Sequence, residues 1–168
     1  MAYQDHFKLA DDMVVHLNLV TSGIADPFIS SRYIGFVAVS AVTVYELAIK
    51  EIFCDFASRK HIVLGNFAFS YFDRINGRVK LKIIKDEYIS RFGTKYVDKF
   101  KKKLDQAEDR LLRTSRVSVK NSYSNVIEWR NQFAHEGQIP STVTYGEIIK
   151  SYNAGKEVIH CLAQTMQR

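Results

Sequence analysis

Apolar side chains recur at three- and four-residue intervals along most of the chain, the spacing that builds one face of an α-helix. From residue 3 to 22, Phe7, Ala10, Met13, Val14, Leu17 and Val20 form such a stripe, and Gly23 supplies a stop. Asp26 and Pro27 have the order of an N-cap followed by proline in the first turn. The helix they open should reach residue 59, with a break near Gly35. Its stretch 36–44 is apolar on every side, which predicts the central, buried helix.

The middle of the chain is patterned less clearly. Residues 67–75 suit a short helix, and Asn76-Gly77 suits a turn. The alternation from Arg78 to Ile83 then predicts one extended stretch, without a second strand to flank it. Helix should resume over 84–92 and stop at Gly93. A long helix over 94–113 would turn Tyr96, Phe100, Leu104, Ala107, Leu111 and Leu112 inward. Ser118 is placed as the N-cap of a helix to residue 136, with Gly137 just past its end. After Pro140, Thr144 and Glu147 have capping-box spacing. They open a last helix with the face Ile148, Ile149, Tyr152, Val158, Ile159, Leu162 and Met166. The expected fold is all-α: one antiparallel helical bundle over residues 1–168, without internal repeats or low-complexity linkers.

Composition narrows the functional classes. A length of 168 residues, 46% of them hydrophobic, suits one domain with a full core and excludes wholesale disorder. Cys54 and Cys161 are far apart in apolar surroundings, which predicts two reduced core thiols rather than a metal or disulfide framework. The N-terminal residues lack signal-peptide layout, and the uncharged stretch 33–45 is shorter than the ~20 residues that span a bilayer. A cytoplasmic protein without membrane attachment is expected. Its net charge of +6 is uneven: residues 78–103 hold ten basic residues against three acidic ones, a local +7. Such an excess suits an anionic partner, foremost nucleic acid, met by Lys80, Lys82, Lys95, Lys99, Lys101, Lys102 and Lys103. A solvated helix face would carry the same charges.

Phosphate loops, zinc-protease motifs and serine-hydrolase elbows are all missing, and the five histidines have no paired ligand spacing. Neither a metal nor another cofactor is expected. The helix over 118–136 is more informative. Its apolar stripe reads Val119, Tyr123, Val126, Ile127, then Arg130, then Phe133 and Ala134. An arginine in that seam needs a carboxylate partner or a wet, functional location, because burying an unpaired guanidinium is costly. His135 follows in the last turn, where the helix dipole favours imidazolium and suits proton transfer near neutrality. Arg130 cannot act as a base but can stabilise charge growing on a phosphate. Spacing alone fits a structural arginine and a capping histidine at least as well. Glu46 falls in the seam of Val39, Val42, Ile49 and Phe53. It suits either a local pair with Lys50 or a carboxylate that orients Arg130 or His135. Asn131 suits positioning a phosphate, the helix end, or plain structural polarity.

The run Arg130-Asn131-Gln132-Phe133-Ala134-His135 resembles the signature of the HEPN superfamily, an arginine and a polar residue with histidine four to six positions later. The layout around it, a central apolar helix carrying Glu46 and a capped final helix, is similar to nucleases of the RiboL-PSP kind. The resemblance implies a metal-independent endoribonuclease that acts as a homodimer, with both motifs at the two-fold interface. Attack by the 2′-OH of RNA on the adjacent phosphorus would use His135 for proton transfer and Arg130 for charge, helped by Asn131 and Glu46. It also implies a toxin or anti-phage or anti-plasmid defence setting, with an antitoxin or neighbouring defence protein as partner. The position two residues after the histidine, a tyrosine in one toxin–antitoxin subgroup, is Gly137 here, so regulation by modifying that tyrosine is not expected. The competing expectation is a HEPN module that binds nucleic acid or protein without catalysis.

Overall fold

The computed structural model describes residues 2–21, 23 and 26–167. A 3-10 turn, Ala2–Gln4, leads into α1 (Asp5–Thr21), followed by α2 (Pro27–Ser58) and α3 (Ile62–Phe72). A short α4 (Leu81–Ile83) runs on into a π-helical stretch, Ile84–Tyr88, and a 3-10 turn, Ile89–Phe92. Three long helices follow: α5 (Thr94–Ser115), α6 (Val119–Glu136) and α7 (Tyr145–Met166). No strand occurs among the described residues, and no helix there is long and apolar enough to cross a membrane.

The expected caps form. Asp26 accepts from the Phe28 N–H, Ser118 from Asn121 and Thr144 from Glu147, each satisfying a donor that the first turn leaves open. Gly137, at φ +70°, closes α6 with its N–H on the Phe133 carbonyl.

The 32-residue α2 is the axis, with α1, α3, α6 and α7 packed around it. Tyr45 stacks between Tyr123 of α6 and Tyr152 of α7, at ring centroid distances of 5.1 and 5.9 Å. All three hydroxyls are satisfied: Tyr45 donates to the Tyr152 carbonyl, Tyr123 to the Val79 carbonyl and Tyr152 to Asp11. Burial pushes all three hydroxyls well above the ordinary tyrosine range, so they stay protonated donors. Gly155 makes the close passage of α7 possible, since a Cβ there would stand 2.4 Å from the Tyr45 hydroxyl. A second stack, Phe72–Phe53–Phe92, clamps α3 and the 3-10 turn onto α2.

Several expectations are corrected. Gly35 does not break α2; it lies under the Phe133 ring, so its missing side chain serves contact with α6 rather than a bend. The helix expected over 67–75 starts earlier, capped by His61, and ends at Phe72. The extended stretch expected over 78–83 does not form: the Val79 N–H turns back onto the Gly77 carbonyl and helix begins at Leu81, with only Val79 of the alternating residues fully inside. Met13, Val20, Leu112 and Ala134 are exposed despite their stripe positions. The apolar stretch of α2 is uncovered along one line, where Phe36 is 50% exposed and Val39 36%.

Candidate active site at the end of α6

Trp129, Ile127 and Val126 anchor α6 in the core, and beyond them the helix emerges. Arg130, Asn131, Gln132 and Phe133 are half-buried, whereas His135 is exposed. Phe133 fixes this segment against α2, edge-on to Phe36 at 5.6 Å and over Gly35. The Gln132 Oε1 is buried without a hydrogen-bond donor among the described residues.

Arg130 is held by a turn that the sequence reading did not connect with it. Asn76 and Gly77 both have positive φ, +41° and +76°. Asn-Gly tolerates that conformation better than other pairs. An added Cβ on Gly77 would stand 2.3 Å from the Arg130 Nη2 and 3.2 Å from its Nη1, so the guanidinium packs with its Nη2 against bare backbone. Its Nη1 donates to the Asn131 Oδ1 at 2.9 Å, and Arg130 makes no ion pair among the described residues. Among the described residues the seam arginine is thus a cation whose one polar side-chain partner is a neutral amide.

Glu46 reaches Arg130 indirectly. Its Oε2 accepts from the Gly77 N–H, and its Oε1 lies 3.0 Å from the Lys50 ammonium. Lys50 in turn donates to the Asp73 carbonyl at 3.1 Å. The other side of the turn is tied by the Tyr88 hydroxyl on the Arg78 carbonyl, 2.8 Å, and by Tyr123 on the Val79 carbonyl, 2.7 Å. Burial pushes the Tyr88 hydroxyl up to about 12, which keeps it a donor. The pair expected with Lys50 therefore forms, and a direct Glu46–Arg130 or Glu46–His135 bond does not. The physical reason is the intervening Asn76-Gly77 backbone. Glu46 and Tyr88 thus tie down the turn whose Gly77 lies against Arg130.

Helical geometry sets the relation of Arg130 to His135. Five residues at about 100° per step leave the two side chains roughly 140° apart around the axis. Asn131 and His135, one turn apart, share a face, and the Arg130 Nη1 reaches around to that face through Asn131. One chain therefore presents Asn131 and His135 on one face of α6, with the Arg130 Nη1 drawn toward that face and Phe133 packed edge-on to Phe36 nearby.

The basic residues separate into two groups. Lys80 and Lys82 are exposed and directly follow the turn on Arg130. The α5 lysines lie elsewhere. Lys99 donates to the carbonyls of Thr165 and Gln167, capping the end of α7, and Lys103 donates to Gln164. Burial, with Lys103 and Lys95 nearby, holds Lys99 below the ordinary lysine range. Because α7 runs back along α6 from the loop that follows His135, this cluster stands about 30 Å from the motif along α7. Lys95, Lys101 and Lys102 are exposed at that far end. Among the described residues, no three His, Cys, Asp or Glu side chains converge as a metal site.

The family model described as RiboL-PSP-HEPN matches residues 4–168. Neither a curated protein nor a solved structure matches the chain.

Proposed function

Because the chain belongs to the RiboL-PSP-HEPN family, we propose that this HEPN module is an endoribonuclease whose reacting groups are Arg130, Asn131 and His135. The observation that carries the reading is the state of Arg130: half-buried, backed by Gly77, and without a carboxylate among the described residues to neutralise it. A structural arginine in a helix seam ordinarily has an anionic partner. Here the guanidinium pairs with the Asn131 amide alone among the described residues, and a phosphate group would satisfy its remaining donors.

In the proposed reaction the RNA 2′-oxygen bonds to the adjacent phosphorus while the bond to the 5′-oxygen breaks. The 2′-OH loses its proton and the departing 5′-oxygen gains one, leaving a 2′,3′-cyclic phosphate and a 5′-hydroxyl. His135 moves these protons, and Arg130 stabilises the charge that builds on the phosphorane oxygens. Asn131 holds the guanidinium toward the His135 face, and Glu46 acts as a positioning residue through the Gly77 turn. Lys80 and Lys82 contact the RNA backbone beside the site. The α5 lysines add a distant attractive field that salt would screen.

A second copy of the chain completes the site. Within one chain Arg130 and His135 diverge around the helix by roughly 140°, so neither faces the other across one phosphate. A two-fold axis beside this end of α6 would face each Arg130 with the other copy's His135. Support comes from the uncovered Phe36 and Val39 on α2. A toxin or defence role, opposed by a cognate inhibitor, is the setting we propose for such an activity.

The test is incubation of purified protein with cellular RNA in excess chelator. We expect cleavage leaving cyclic phosphate ends, with no cutting of DNA or of 2′-O-methyl RNA. Absence of cleavage, or cleavage that stops with chelator, would overturn the assignment and favour a non-catalytic binding module.

A further inference from the structure

Away from the motif, α3 has an unusual composition for a surface helix. Its eleven residues include no charged side chain, and of them Gly65, Ala68 and Phe72 alone are fully buried. Ile62, Val63, Phe67 and Phe69 are each more than 60% exposed. So much contiguous apolar surface ordinarily marks an interaction site. Between α3 and the 3-10 turn runs a groove of about 370 Å³, lined by Leu64, Phe67, Tyr71 and Phe92 with Lys60 and Arg91 at its rim. No carboxylate lines it, and neither cation forms an ion pair among the described residues. Arg91 lies over the Tyr71 ring at 4.8 Å, and Lys60 over Phe56 at 5.3 Å. The groove on the other side of α3 differs, since His6, Lys50, Glu51, Asp55 and Asp73 give it charges of both signs.

We infer that α3 and this groove are the docking surface for a partner protein's amphipathic helix, apolar on one face and flanked by acidic side chains. Three turns of α3, about 16 Å, match apolar anchors at i, i+3 or i+4, and i+7 of a helix laid alongside. Unpaired Lys60 and Arg91 supply the complementary charge. A second copy of this chain fits less well, because two-fold docking would bring those cations against themselves with no carboxylate between. Single-stranded RNA fits less well too. Cations already cover the Tyr71 and Phe56 rings, and Ile62, Val63 and Leu64 offer no face for a base to stack on. The inference does not rest on nuclease activity.

The experiment is selection of a displayed library of helical peptides on the full chain, with counter-selection on Phe67→Glu. Phe67 is exposed, so the variant should keep the wild-type circular dichroism and melting temperature. The expected consensus has apolar anchors at helical spacing flanked by Asp or Glu. A synthetic peptide of that sequence should lose roughly tenfold or more affinity against Lys60→Glu or Arg91→Glu. Failure to enrich any peptide over the variant, or a basic consensus, would overturn the inference. So would a labelled RNA oligomer that loses binding on Phe67→Glu, or light scattering that shows a dimer dissolved by that change.

Discussion

Replacing Gly77 by alanine tests the link between the Asn76-Gly77 turn and Arg130. A non-glycine residue at φ +76° costs about 1–2 kcal/mol in backbone strain. The new Cβ would also stand 2.3 Å from the Arg130 Nη2. Because that atom ends a flexible side chain, the guanidinium would swing away rather than unfold the turn. The Arg130–Asn131 hydrogen bond would go with it, worth about 1 kcal/mol at this half-buried position. Gly77→Ala should therefore destabilise wild type by about 2–3 kcal/mol, but only by about 1–2 kcal/mol in an Arg130→Ala background. Urea denaturation of the four proteins measures the difference, a coupling of about 1 kcal/mol. RNA cleavage by Gly77→Ala should fall by about 10²-fold or more, as when a charge stabiliser is displaced. Equal destabilisation in both backgrounds, within about 0.3 kcal/mol, would refute the contact.

Three further outcomes follow from the geometry. Glu46→Gln keeps an acceptor for the Gly77 N–H and should cost less in urea denaturation than Glu46→Ala, which loses it at about 1–3 kcal/mol; equal losses would contradict the role of that bond. Burial holds the His160 imidazole below its ordinary range, so the unfolded chain binds the extra proton first. The stability it contributes should be complete above about pH 6.5 and decline as the pH falls through that value toward the depressed one, with a shallower decline in His160→Gln thermal melts. Burial also pushes the Cys54 and Cys161 thiols up to about 11, so a colorimetric disulfide reagent at neutral pH should label neither until denaturant is added.

The long helices were legible because their caps and stripes agree. Asp26, Ser118 and Thr144 each cap the helix they were expected to open, and the α7 face lies inside almost as written. The motif was legible for a different reason: Arg130 interrupts an apolar seam, which physical chemistry marks as unusual. Its support was not legible. Asn76-Gly77 announces a turn, but no local signal says that the turn lands on a side chain 53 residues later in the chain. Gly35 misled for the same reason, since a glycine needed for contact and one that bends a helix look alike in sequence. Residues 78–83 alternate like a strand, yet 81–83 are helical, because among the described residues there is no strand to pair with them. The summed charge of 78–103 concealed its division between the Arg130 turn and the far end of α7.

The central claim, a ribonuclease site built from Arg130 and His135 of two chains, is tested most directly by mixing two inactive variants. Arg130→Ala and His135→Ala should each fold and each cut RNA orders of magnitude more slowly than wild type. Unfolded and refolded together in equal amounts, they should form heterodimers in which one of the two sites is intact, restoring about a quarter of wild-type cleavage in the presence of chelator. Cleavage that survives His135→Ala alone, or a mixture that stays as inactive as its components while wild type cuts, would contradict the account.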